Sequence, residues 1–110
     1  KCEHKEIIIT NALTHMTDYD LNNFIYLCRS CIKEIGEYKT IDLSQISNNQ
    51  KYSFQYTIQV CVANGLINTE SFISDEDSVY GGLYYVKTDM CDELLKYIEI
   101  IKQLLRYNID

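Results

Sequence analysis

Residues 57–89, TIQVCVANGLINTESFISDEDSVYGGLYYVKTD, decide how this chain folds. The stretch opens in a mixed polar and apolar segment that Asn64-Gly65 closes. Residues 66–73 then read as a strand, 74–78 as a polar turn, and 79–87 as a second strand, with Gly81-Gly82 permitting a bend. Two β-rich runs joined by a short polar turn predict a hairpin. The tip of that hairpin, Asp75-Glu76-Asp77, carries three adjacent carboxylates.

Outward from this stretch, helical periodicity dominates. Residues 53–64 predict a helix capped by Ser53, with Phe54, Ile58, Cys61 and Val62 inward. Gln55, Tyr56 and Gln59 face outward with Thr57 flanking them. Before it, TIDLSQISNNQ (residues 40–50) reads as a strand-like entry and then a short helix with Asp42 as N-cap, ended by the turn signal Asn48-Asn49-Gln50. Residues 17–36 predict a helix. Thr17 or Asp18 caps it, Leu21, Phe24, Ile25, Cys28, Ile32 and Ile35 form one apolar stripe, and Gly36 suits a left-handed C-cap. Residues 5–16 fit helical spacing through Ile9, Ala12, Leu13 and Met16, although the β-branched Ile7, Ile8 and Ile9 also suit a strand; the helix is favoured.

The last predicted helix, residues 88–108, is capped by Thr88 or Asp89, and Asp89, Asp92 and Glu93 fill its first turn in accord with the helix dipole. It carries two apolar rows. Leu94, Ile98, Ile101 and Leu105 form one, and Tyr97, Ile100 and Leu104 the other. A stripe this wide predicts a homodimer interface centred on Leu94, Tyr97, Ile98, Ile101, Leu104 and Leu105.

A length of 110 residues points to one domain. The absence of proline, with only four glycines, favours uninterrupted helices. No apolar run approaches the ~20 residues a membrane span needs, and no secretory signal pattern is visible. Five cysteines are an odd number, which argues against a disulfide framework and for free thiols in a reducing, cytoplasmic setting. The net charge of −6 is uneven: residues 67–87 carry four acids against Lys87, whereas residues 37–66 balance Glu37 and Asp42 with Lys39 and Lys51.

The runs IDLSQISNNQKYSFQYTIQVCVANGLINTESF and GGLYYVKTDMCDELLKYIEIIKQLL resemble the winged helix-turn-helix superfamily of ArsR-, MarR- and PadR-type regulators, including small plasmid-partition regulators. Ala63-Asn64-Gly65-Leu66-Ile67 matches the family's "AGLI" motif, and Tyr84-Tyr85-Val86-Lys87-Thr88 its "YYxLT" strand end. The resemblance covers residues 17–108. It implies a mainly α domain with residues 42–65 as the helix-turn-helix, 66–87 as the wing and 88–108 as the long C-terminal helix. It further implies a regulator of transcription, dimeric, reading duplex DNA through residues 53–64. On this resemblance Gln55 and Gln59 would pair with adenine, Tyr52, Ser53, Tyr56 and Thr57 would donate to phosphates, and Lys39 and Lys51 would supply the cations. The acidic hairpin tip departs from the family's basic wings, and would repel phosphate. A protein-interaction domain, offering the acidic wing and last helix to a basic partner, is the alternative.

Cys2-x-His4 and Cys28-x-x-Cys31 have ligand types suited to tetrahedral zinc, which makes a zinc-stabilised interaction domain a further alternative. Two helix cysteines beside a frayed terminus fit the motif better, and no cofactor is expected. His15 reads as structural or solvated. No phosphate-cradling loop, nucleophile elbow or paired His-carboxylate motif occurs, so no enzyme is expected.

Overall fold

The computed structural model describes residues 2–72 and 82–109, and the side chains of residues 4–71 and 83–105. Helix α1, Cys2–His15, resolves the ambiguity of the isoleucine run in favour of a helix. Ile9 and Ala12 are buried with Met16 just beyond, while Ile7 faces out, as a 3.6-residue period requires. Helix α2, Asp18–Ser30, starts from a reciprocal cap. The Thr17 hydroxyl accepts from the Asp20 N–H at 3.1 Å, and Asp20 Oδ2 accepts from the Thr17 N–H at 3.1 Å.

Helix α2 is shorter than its apolar stripe predicts. Cys31 ends it, and Ile32–Ile35 form strand β1. Ile32 and Ile35 suit both a helical row and a strand, and strand pairing wins. Residues 32–35 pair antiparallel with β2, Tyr38–Ile41, with Ile32 opposite Ile41 and Ile35 opposite Tyr38. Gly36 has φ +60°, but it turns a hairpin instead of capping a helix. With Glu37 outside positive φ, glycine at the first turn position fits the II′ arrangement that strand twist favours.

Residues 42–50 form successive turns and no helix, which corrects the predicted first half of a helix-turn-helix. Asp42 Oδ1 accepts from the Ser44 N–H at 3.0 Å and the Ser47 hydroxyl bonds Asn49 at 2.7 Å. Such local bonds compete with helical ones. Buried Ile46 anchors the segment. Helix α3, Lys51–Ala63, follows. Ser53 lies inside it and does not cap it, and the N-cap is Gln50, without a side-chain bond. At its end Gly65 takes φ +78°, the Leu66 N–H reaches Cys61 O at 2.9 Å and the Gly65 N–H reaches Val62 O at 3.3 Å, a Schellman termination.

Strands β3, Ile67–Phe72, and β4, Gly82–Lys87, pair antiparallel from Ile67 opposite Lys87 to Phe72 opposite Gly82. The carboxylates at 75–77 lie outside the described residues. Strand β2 joins the far edge of β4 through Thr40 and Val86, so the antiparallel sheet has the order β1-β2-β4-β3. Helix α4, Asp89–Ile109, starts at Thr88, whose hydroxyl accepts from the Met90 N–H at 3.2 Å. Phe24, Leu27, Ile58, Leu66, Ile67 and Leu94 form the fully buried centre between helices and sheet. Among the described residues, no helix is long and apolar enough to cross a membrane.

Candidate functional site

Helix α3 is held by its inner face. Phe54, Ile58 and Cys61 enter the core, and the Phe54 ring lies 5.7 Å from that of Tyr26 on α2. Between α2 and α3 runs a polar network. Thr57, fully buried, donates to Asp20 Oδ1 at 2.8 Å, while Asn23 Nδ2 donates to Thr57 Oγ1 at 3.1 Å and Ser53 Oγ at 2.9 Å. Asp20 is buried as well, and Thr17 serves its second oxygen, so no carboxylate oxygen there lacks a donor. This pairing offsets the large cost of burying a charge.

The network corrects one expectation. Thr57 faces the core and has no access to a ligand, whereas Ser53 is exposed and accepts from Asn23. The signal was present in the sequence: Thr17-x-x-Asp20 has capping-box spacing, and Thr57 lies one turn before Cys61 on the buried face.

The outer face of α3 remains. Tyr52 is 84% exposed and Tyr56 66%, and Gln55 and Gln59 lie beside them at i, i+3, i+4 and i+7 spacing. Gln59 Nε2 comes within 3.5 Å of the Tyr85 hydroxyl on β4, which links the stripe to the sheet. No residue of α3 is acidic, and Lys51 opens the helix, half-exposed. An open hollow of about 380 Å³ beside the stripe is lined by Asn22, Asn23, Tyr26, Gln50, Ser53 and Phe54, all uncharged. Lys39 has different company. It lines a hollow of about 220 Å³ with Glu37, Lys87, Asp89 and Asp92.

The residues expected at a dimer interface divide. Leu94 and Ile98 are buried in the chain's own core. Tyr97, Leu104 and Leu105 are exposed, together with Ile100. Ile101 is half-buried beside an apolar hollow of about 440 Å³ shared with Leu13, Leu21 and Ile25.

The zinc quartet is not assembled among the described side chains. His4 is exposed on α1, Cys31 is buried at the end of α2, and Cys2's side chain lies outside the described residues. Among the described residues no group of three or more His, Cys, Asp or Glu is placed to hold a metal ion. His15 has a structural partner, its Nδ1 lying 3.0 Å from Asn64 Oδ1 where α1 meets the end of α3.

Buried thiols form the other polar chemistry of the interior. Burial pushes Cys61 up to about 12. The neighbouring Cys91 thiol and burial raise Cys28. The Cys28 thiol lowers Cys91, helped by the backbone at Thr88 and by the Lys87 charge. Burial is the largest influence on Lys87 and opposes its charge, but the 2.7 Å bond to Asp92, the charge of that carboxylate and the neighbouring thiols together outweigh it and leave the amine above its ordinary range.

Comparison with family profiles, with curated proteins and with solved structures finds no match to this chain.

Proposed function

We propose that the chain is a small winged-helix regulator that binds duplex DNA through α3. The observation that carries this reading is the outer face of that helix. In a chain of net charge −6, Tyr52, Gln55, Tyr56 and Gln59 make an exposed stripe on a helix without a single carboxylate. A carboxylate there would repel phosphate, whereas glutamine amides pair with adenine edges and tyrosine hydroxyls donate to phosphate oxygens. Two features support a wing beside it. The β3–β4 hairpin follows α3 directly, and β2 extends that hairpin into a sheet. The exposed Tyr97, Ile100, Leu104 and Leu105 support a dimer that would read two half-sites about one helical turn apart.

The test is fluorescence anisotropy on a random duplex pool across a salt series. With Lys51 as the phosphate cation of this face, the logarithmic salt slope should be shallow, about −1. On duplexes selected from the pool by the wild type, Gln55→Ala/Gln59→Ala should abolish the preference over the random pool while leaving the slope unchanged. No binding at low salt would remove the reading.

A second reading, a protein-interaction domain, is favoured by the exposed tyrosines Tyr19, Tyr26, Tyr52 and Tyr56 on α2 and α3. Tyrosine is enriched at protein interfaces because it offers large, stiff contact area with a polar tip. Failure to bind DNA would make this face the first surface to mutate.

A further inference from the structure

The sheet has two edge strands, and they differ. Strand β1 is four residues long and carries Lys33 and Glu34, the short and charged kind of edge that resists pairing with another chain. Strand β3 is six residues long, INTESF, without lysine, arginine or proline. Its ladder to β4 runs unbroken from Ile67 to Phe72, and among the described residues no other strand pairs with it. The ladder also fixes which backbone groups face outward. The Thr88 N–H donates to Leu66 O, one step before Ile67 opposite Lys87. Bonded and non-bonded pairs alternate, so Asn68 and Glu70 turn their N–H and C=O towards β4, and Ile67, Thr69 and Ser71 turn theirs to the open edge. Asn68, Thr69 and Ser71 are exposed and Glu70 is half-exposed. Among the described residues, none bonds the side chains of these four.

We propose that β3 pairs antiparallel with β3 of a second copy, about a two-fold axis centred on Thr69. In an antiparallel pair, directly opposite residues both turn their bonding groups to the seam or both turn them away. A two-fold axis is therefore centred on a residue, never between successive residues. Two registers keep the longest overlap. An axis at Glu70 sets two Glu70 carboxylates directly opposite each other, which repels. An axis at Thr69 sets Thr69 against Thr69, Ile67 against Ser71, and Asn68 against Glu70 on both sides. Each Asn68 amide then donates to a Glu70 carboxylate of the other copy, a charge-assisted bond. Residues 67–71 make a short ladder, marginal for two free copies. It acts between copies that another contact already gathers. It thus rests on the proposed α4 dimer and joins such dimers into larger assemblies. Two different two-fold contacts on one chain extend a row where a single one stops at a dimer.

The experiment follows the average mass of the full chain by light scattering over a concentration series. The wild type should rise past the dimer. Thr69→Lys, which sets two lysines opposite each other at the axis, should stop at the dimer with unchanged circular dichroism. Asn68→Lys, which faces Glu70 of the second copy, should bring the rise to lower concentration. A wild type that stops at the dimer, or a Thr69→Lys variant that rises with it, would overturn the proposal. Cross-linking separates this contact from α4. Under mild oxidation, Thr69→Cys should yield a peptide joined to its own copy through residue 69. Ser71→Cys, held apart by the register, should yield far less. Equal linkage from the two overturns the pairing whatever the mass. A monomeric wild type with selective linkage at residue 69 removes the α4 dimer and leaves the β3 pairing standing.

Discussion

At the scale of single residues, burial changes what a side chain can be for. Thr57 sits on α3, yet its hydroxyl is spent on Asp20. Thr57→Val keeps the shape and strands a carboxylate oxygen in the core. We expect a loss of about 1–3 kcal/mol of unfolding free energy, the cost of an unsatisfied buried polar group, read by urea denaturation. Tyr52→Ala, on the open face, should stay within about 0.5 kcal/mol. Equal costs for the two would refute the division of α3 into an anchored and an open face. Gly65 gives a second residue-scale case. A Cβ there would meet nothing within 4 Å, so only its φ of +78° resists substitution. Gly65→Ala should therefore cost roughly 1–2 kcal/mol through backbone strain alone, and Gly65→Asn less, since asparagine tolerates the left-handed region.

At the scale of elements, the legible parts were those where one signal spoke alone. The α3 end at Asn64-Gly65 and the β-rich runs around the hairpin each had a single reading, and the start of α4 was placed to within one residue, at Thr88 or Asp89. The end of α2 did not. Ile32 and Ile35 sit at a spacing that serves helix and strand alike, and Gly36 supplies a positive φ that either a C-cap or a hairpin turn uses. Only pairing with residues 38–41, and of those with β4, separates the two, and pairing partners are not local information. The outward stripe of α3 was readable from periodicity. The Asp20 network and the bond from Cys91 to Leu66 O were not, because each joins residues far apart in the chain. The turn segment offers a pH test. The Ser44 N–H holds the Asp42 carboxyl below its ordinary range. A depressed folded-state value means that the contribution is complete above the ordinary carboxylate range and is lost as pH falls through the folded value. Asp42→Asn, which keeps an acceptor for Ser44, should flatten that part of the acid unfolding profile, measured by circular dichroism between neutral and strongly acid pH.

At the scale of the whole molecule, α4 divides its apolar surface between two tasks. Leu94 and Ile98 complete this chain's core, while Tyr97, Ile100, Leu104 and Leu105 stay exposed. If the exposed row joins two copies, Leu104→Glu/Leu105→Glu should give a monomer by light scattering with unchanged helical content. Leu94→Ala should instead unfold the chain by about 2–5 kcal/mol, as a cavity in the core does. A wild type that is monomeric at high concentration would sink the dimer.

The carbonyl of Leu66 has a mechanical consequence. It accepts from the Thr88 N–H, the Thr88 hydroxyl and Cys91 Sγ, each at 3.0 Å, and it lies just past the last turn of α3. That one oxygen is thus the pivot between the exit of α3 and the root of α4. A helix of 21 residues is a lever arm of about 30 Å, so a tilt of roughly 5° at the pivot carries its far end about 3 Å. Whatever seats or shifts α3 would be felt, magnified, at the tip of α4.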